Sequence, residues 1–309
     1  MLKADQLKAL SIRSDRRGVA RLAGHLGALC ATGALVLYAH GVWRVPAILV
    51  HGYVLIFLFC ALHEATHYTP FRSRWLSTAL GHFAGFLLLL PFEYFRLFHW
   101  DHHRYTQDPA RDPELARPKP ATPGAYLLHV SGLPNWGVRI LTLARHAFTG
   151  QVPQPWVPGQ ARPIVVLEAR LYAAAYLAAI GASIALGSTL LIWLWVLPAL
   201  AGQLFLRPYL LAEHTGCEMS SDTYGNTRTT ITNPVVRFFA WNMPYHVEHH
   251  AYPAIPFHSL PRAHEHLRGA ERTVSPGYLS ATRSIFRYLT SHHSPARESA
   301  AARTEAKTS

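Results

Sequence analysis

The amino-acid sequence predicts an all-α integral membrane protein with about four transmembrane helices in two hairpins and a cytoplasmic helical cap carrying a histidine-rich site. Three observations carry this expectation. Hydrophobic residues make up 50% of the 309 and charged ones only 15%, a balance that suggests a membrane protein. Four apolar runs each approach the ~20 residues needed to cross a bilayer. Of the 20 histidines, eight fall into three tight clusters.

Taken in order, the first run extends from about Leu26 to Trp43 and the second from about Ala47 to Leu62, with only Arg44-Val45-Pro46 between them. So short a break makes a hairpin. A second pair follows at about Ile164 to Ala182 and Ile184 to Leu206, turning around Gly181 to Gly187. The intervening segment Leu76 to Phe95 is also apolar but carries His82, Pro91 and Glu93, so it reads as a re-entrant or interfacial helix. From Arg207 to about residue 290 no further span is expected, and this stretch forms the cap of a single domain covering 1–290. The Ala/Ser/Arg/Glu/Thr-rich stretch 291–309 reads as a disordered tail.

The formal charge of +12 lies largely in the N-terminal arginines Arg13, Arg16, Arg17 and Arg21 and in the loops bearing Arg72, Arg74, Arg104, Arg111, Arg117, Arg139 and Arg145. Basic flanks beside apolar spans mark the cytoplasmic side and anionic lipid rather than nucleic acid. Both termini are then cytoplasmic and both hairpin turns face outward. The first 25 residues lack the apolar core and cleavage site of a signal peptide. Cys30, Cys60 and Cys217 are far apart, the first two inside apolar runs, which argues against a disulfide framework, a cysteine zinc site or an iron–sulfur cluster.

The histidine clusters are His63 and His67 in HEATH, His99, His102 and His103 in HWDHH, and His246, His249 and His250 in HVEHH. On a helix, offsets of three and four keep all the rings of a cluster on one face. Under this topology all three clusters lie on the cytoplasmic side and can converge. HEATH alone matches the H-E-x-x-H of a zinc metalloprotease, with Glu64 as a general base. A protease zinc takes three protein ligands, however, and eight clustered imidazoles suit two ions of higher coordination number. A metal transporter would string its ligands across the bilayer rather than gather them on one side. Imidazole does not by itself choose among zinc, copper, iron and nickel.

With these residues in view, the chain resembles the membrane fatty-acid desaturase and hydroxylase superfamily, bacterial type. HEATH, HWDHH and HVEHH match its three histidine boxes in form, order and placement, and the likeness covers most of residues 20 to 270. The resemblance implies a di-iron centre, consumption of O2 as co-substrate, and a lipid-like or other hydrophobic substrate taken from the bilayer. It also implies a membrane-bound oxidoreductase in a bacterial inner membrane. No fused donor domain is visible, so a separate ferredoxin-like or cytochrome electron donor is implied. Superfamily members often carry a further ligand histidine near the cytoplasmic end of the last span. His214, in LLAEHTG, matches that position, although Leu210 stands where some relatives have asparagine. The expected metal ligands are therefore His63, His67, His99, His102, His103, His214, His246, His249 and His250. The boxes do not separate desaturation from hydroxylation or ketolation, since substrate placement decides that outcome.

Other residues carry weaker expectations. Glu93, Asp101, Asn242 and Glu248 are candidates for orienting ligand histidines. Trp100 and Trp241 read as membrane-interface aromatics. His82 reads as a buried, hydrogen-bonded histidine. His51 lies too far toward the outer end of its span to reach the site, and His129, His146, His258, His264 and His266 read as surface or cap residues.

Overall fold

The computed structural model describes residues 1–292. A short helix α1 (Ala4–Leu10) precedes α2 (Asp15–Tyr38), the first helix long and apolar enough to cross a membrane. It begins well before the apolar run, because the Ser14 hydroxyl accepts from the Arg17 N–H and starts the helix among arginines. A 3-10 turn (Gly41–Trp43) leads into α3 (Arg44–Ile56) and α4 (Leu58–Thr66), which together form the second candidate span. Next, α5 (Arg74–Leu87) and α6 (Phe92–Tyr105) form a pair bent by 100°. The apolar segment around Leu76 to Phe95 is thus broken at Leu88–Pro91, where proline and the left-handed Leu89 (φ 50°) end the first helix.

Helices α7 (Pro123–Ser131) and α8 (Leu133–Ala144) lead to α9 (Arg162–Ala185), the third candidate span. The fourth runs from a π turn (Ile192–Val196) through α10 (Leu197–His214). The remaining segments are α11 (Thr223–Asn226), strand β1 (Thr229–Thr230), α12 (Pro234–Phe239), α13 (His246–Ala251), α14 (Leu260–Leu267), strand β2 (Val274–Ser275) and α15 (Tyr278–His292). The two strands pair in parallel. The stretch expected to be a disordered tail begins inside the backbone of α15, and its remainder, 293–309, lies outside the described residues.

Two features bind the spans together. Gly52 on α3 and Gly202 on α10 allow the backbones to touch, since a Cβ at Gly202 would lie 2.4 Å from the Gly52 carbonyl oxygen. His51, which joins neither histidine group, is buried and holds Thr32 Oγ1 at 2.8 Å and the Leu194 carbonyl at 3.0 Å. Outward-facing Leu167, Leu171, Leu177, Ile180 and Ile184 on α9 are all at least half exposed, an apolar band suited to lipid.

Candidate metal centre

Each histidine box rides on an element whose position is fixed from outside the box. The first box closes α4, and its Glu64 is fully buried, with Oε1 accepting from the Phe257 N–H at 2.7 Å. The carboxylate thereby ties the box to the segment before α14. The second box lies on α6, whose N-terminal amides of Glu93 (2.9 Å) and Tyr94 (3.3 Å) donate to the buried Glu168 carboxylate of α9. An anion at a helix N-terminus meets both the free N–H groups and the dipole. His82 is half-buried and completes this group, 3.2 Å from Glu168 and 3.3 Å from the Tyr172 hydroxyl.

The third box occupies α13, entered through consecutive left-handed residues Trp241 (φ 49°) and Asn242 (φ 58°). Asn242 Nδ2 donates to the Phe257 carbonyl, and Trp241 Nε1 donates to His25 Nδ1. Glu248, fully buried, accepts from the Thr229 hydroxyl at 2.6 Å and from His264 Nδ1 at 2.5 Å, joining α13 to β1 and α14. The Glu248 carboxylate holds the His264 imidazole above its ordinary range.

The three boxes and His214 meet in two groups. His63, His67, His99, His103 and His249 form the first, with each ring offering a nitrogen within 4.8 Å of the others. His102, His214 and His250 form the second, and His246 Nε2 joins it 3.2 Å from His214 Nε2. All nine histidines singled out from the sequence are therefore brought together. The grouping cuts across the boxes: the second gives His99 and His103 to one group and His102 to the other, while the third gives His249 to one and His246 with His250 to the other.

The nitrogen spacing discriminates between a ring cluster and a ligand cage. His67 and His103 place Nε2 2.9 Å from His99 Nε2, His249 places its own 3.2 Å from that of His103, and His102 lies 3.2 Å from His214. Edges of about 3 Å are what nitrogens bound at ~2.1 Å make at right angles around one ion. Burial, then the neighbouring rings, holds His249 and His250 well below the usual imidazole range and His246 down to about 3. Neutral imidazole is the form that ligates. His250, whose Nδ1 faces the Thr106 hydroxyl, leaves its Nε2 buried without a hydrogen-bond partner, an arrangement costly in a protein interior and resolved by a cation.

Around the second group the nitrogens turned away from the cluster are held by polar partners. His102 Nδ1 lies 2.9 Å from Asp112 Oδ1, His214 Nδ1 3.2 Å from the Asn226 carbonyl, and His250 Nδ1 3.3 Å from the Thr106 hydroxyl. Asp112 is 5% exposed and also accepts the Gln107 and Glu114 amides. Such contacts fix ring orientation and raise ligand basicity.

Residues 40–281 match the family model described as fatty acid desaturase. The chain belongs to the fatty acid desaturase family. It is 27% identical to the dihydrorhizobitoxine desaturase of Bradyrhizobium elkanii, over 78% of this chain and 71% of the relative. It is 24% identical to the sn-1 oleoyl-lipid 12-desaturase of Picosynechococcus sp., over 79% of this chain and 75% of the relative. This desaturase-family chain is accordingly an oxidoreductase, with histidine clusters of the kind that a desaturase di-iron site requires.

Several expectations shift in detail. Glu93 pairs with Arg96 (2.6 Å), Asp101 with Arg104 (3.8 Å), and Asn242 and Glu248 with the partners given above, so none of the four makes its described bond to a clustered histidine. Asp112 takes that place instead. The DPARDPE stretch carries a signal for it, since Asp-Pro pairs favour tight turns in which the carboxylate turns back on nearby amides. Trp241 is wholly buried rather than interfacial, whereas Trp100 is half exposed and donates to the Thr66 carbonyl. Nothing in the local sequence pairs Glu168 with α6, or His264 with Glu248.

Proposed function

We propose that this protein is an O2-dependent di-iron desaturase that introduces a double bond into an acyl chain or other lipid-like substrate. The observation that carries the reading is the gathering of nine imidazoles in two groups, seven of them with nitrogen–nitrogen edges of 2.9 to 3.2 Å. In this reading His63, His67, His99, His103 and His249 hold one iron and His102, His214, His246 and His250 the other. Two irons so held supply the oxidising power that acid–base side chains lack for an unactivated C–H bond.

The balanced reaction takes two hydrogens from adjacent carbons, O2, two electrons and two protons, and gives an alkene and two waters. The protein's own contribution is positional. Asp112, Asn226 and Thr106 set the ring planes of the second group, while Glu64, Glu168 and Glu248 tie the box-bearing helices α4, α6 and α13 to the segment before α14, to α9 and to β1. Electrons come from a separate ferredoxin-like or cytochrome donor. The clusters and both termini face the cytoplasm of a bacterial inner membrane, in keeping with the arginine distribution.

Two measurements test the reading: metal analysis of the purified protein, with about two irons per chain expected, and mass spectrometry of lipids and small amphiphiles from an expressing host. A product two hydrogens lighter supports desaturation. One oxygen heavier assigns hydroxylation, and a single zinc without iron rejects the redox reading.

A further inference from the structure

Arg207 lies inside the fourth candidate span, is 6% exposed, and takes no part in the proposed cage. Its Nε donates to the Gln203 carboxamide oxygen at 2.7 Å, one turn back on α10, but Nη2 is buried with no hydrogen-bond partner. The charges acting on it are Arg139, Arg117 and Glu114, two of them of its own sign. The one acid among these is substantially solvated, its side chain 38% exposed. By contrast, the arginines with ion pairs among the described residues, Arg96, Arg104, Arg111 and Arg272, have side chains 26%, 64%, 61% and 55% exposed. A guanidinium in an apolar interior without a bonded anion is costly. In a membrane-spanning segment it marks a functional site by default.

Its place on the helix says what it serves. His214 follows two turns later, so the two side chains share a face on the order of 10 Å apart along the axis. On the other side, Gln203 packs against the left-handed Gly132 (φ 70°) that joins α7 to α8, where a Cβ would lie 2.3 Å from the Gln203 side chain. Arg207 therefore stands where α10 meets the α7–α8 corner, below the metal centre. His129 on α7 is held down to about 4, first by burial and then by Arg207. A neutral ring there adds no competing charge.

We propose that Arg207 receives the anionic end of the substrate, a carboxylate or phosphate on an aliphatic chain whose reacting carbons lie one short chain length away at the metal centre. This rests on the desaturase reading and narrows its substrate class to amphiphiles with the charged group held inside the protein. The guanidinium fork matches either oxyanion in bidentate fashion, using the Nη2 that now lacks a partner.

The test is binding of radiolabelled decanoate, decan-1-ol and decyl phosphate to the detergent-solubilised, iron-loaded full chain. One of the two anions is expected to bind at least about tenfold tighter than the alcohol. Arg207→Gln should abolish that preference at unchanged iron content. A lead for decyl phosphate assigns a phosphate head, and a lead for decanoate assigns a carboxylate. Equal binding of all three to the wild type overturns the proposal, as does a preference that survives Arg207→Gln. If that variant does not fold, Arg207→Lys decides, because a single-point cation should lower the anion-to-alcohol ratio several-fold, and an unchanged ratio overturns the proposal. Binding needs no turnover, so anion preference without any desaturated product leaves the site and removes the reaction, while desaturation of decanoate indifferent to Arg207→Gln does the reverse.

Discussion

Asp112→Asn isolates a single atom's charge beside the second histidine group. The carboxylate is 5% exposed and engaged on both oxygens: Oδ1 with His102 Nδ1 (2.9 Å) and the Glu114 amide (2.9 Å), Oδ2 with the Gln107 amide (2.8 Å). An asparagine can keep only one of these oxygens. If its NH2 replaces Oδ2, it faces the Gln107 N–H, donor against donor. If it replaces Oδ1, it faces the Glu114 N–H and offers a proton to His102 Nδ1, moving the ring's own proton to Nε2, the nitrogen 3.2 Å from His214 Nε2. Either orientation weakens His102 as a ligand. Loss of such an orienting carboxylate costs metal affinity roughly 10- to 100-fold, or about 1.4–2.8 kcal/mol. The assay is iron retention against a graded chelator series, on protein verified as monodisperse. The midpoint for one of the two irons should move by that factor while the other stays put. Asp112→Asn protein that holds both irons with wild-type midpoints would refute the argument.

His214→Ala removes the ring whose Nε2 lies 3.2 Å from both His102 and His246, so iron per chain should fall by about one and turnover should cease; normal iron with normal turnover rejects ligation. Glu64→Gln keeps an acceptor for the Phe257 amide and should retain the metal, whereas Glu64→Ala strands that amide and should cost about 1–3 kcal/mol in thermal or chemical unfolding; a Glu64→Gln protein depleted of metal would contradict the structural role. Gly202→Ala places a Cβ 2.4 Å from the Gly52 carbonyl oxygen and should destabilise the α3–α10 contact by about 1–3 kcal/mol, read as a lowered midpoint in detergent; an unchanged midpoint means the helices separate freely. Purified protein should turn over only when a ferredoxin-like or cytochrome donor is added, and full turnover with NAD(P)H alone refutes a separate donor.

The sequence by itself determined the class of this protein and which histidines could converge on a candidate metal centre. Hydropathy is read along the chain, so four apolar runs mark candidate spans without any tertiary contact, and histidines three and four apart declare a shared helical face. The nine histidines followed from those spacings and from the family resemblance. What the tertiary structure decided is the partition: HWDHH and HVEHH each split between two groups, because neighbouring residues on a helix point about 100° apart and only the opposing elements fix which ring meets which. Helix ends likewise depended on contacts outside the apolar pattern, as with Ser14 at the start of α2 and the histidine His214 closing α10. The supporting carboxylates were the least legible. Glu168 reaches α6 across 75 positions and Glu64 reaches the Phe257 amide across 193, and a hydrogen bond between residues so distant in sequence leaves no local periodicity for a single chain to display. The Arg207 guanidinium, whose Nη2 lacks a partner, belongs with them, since an arginine in an apolar run reads the same whether or not the fold supplies it with an anion.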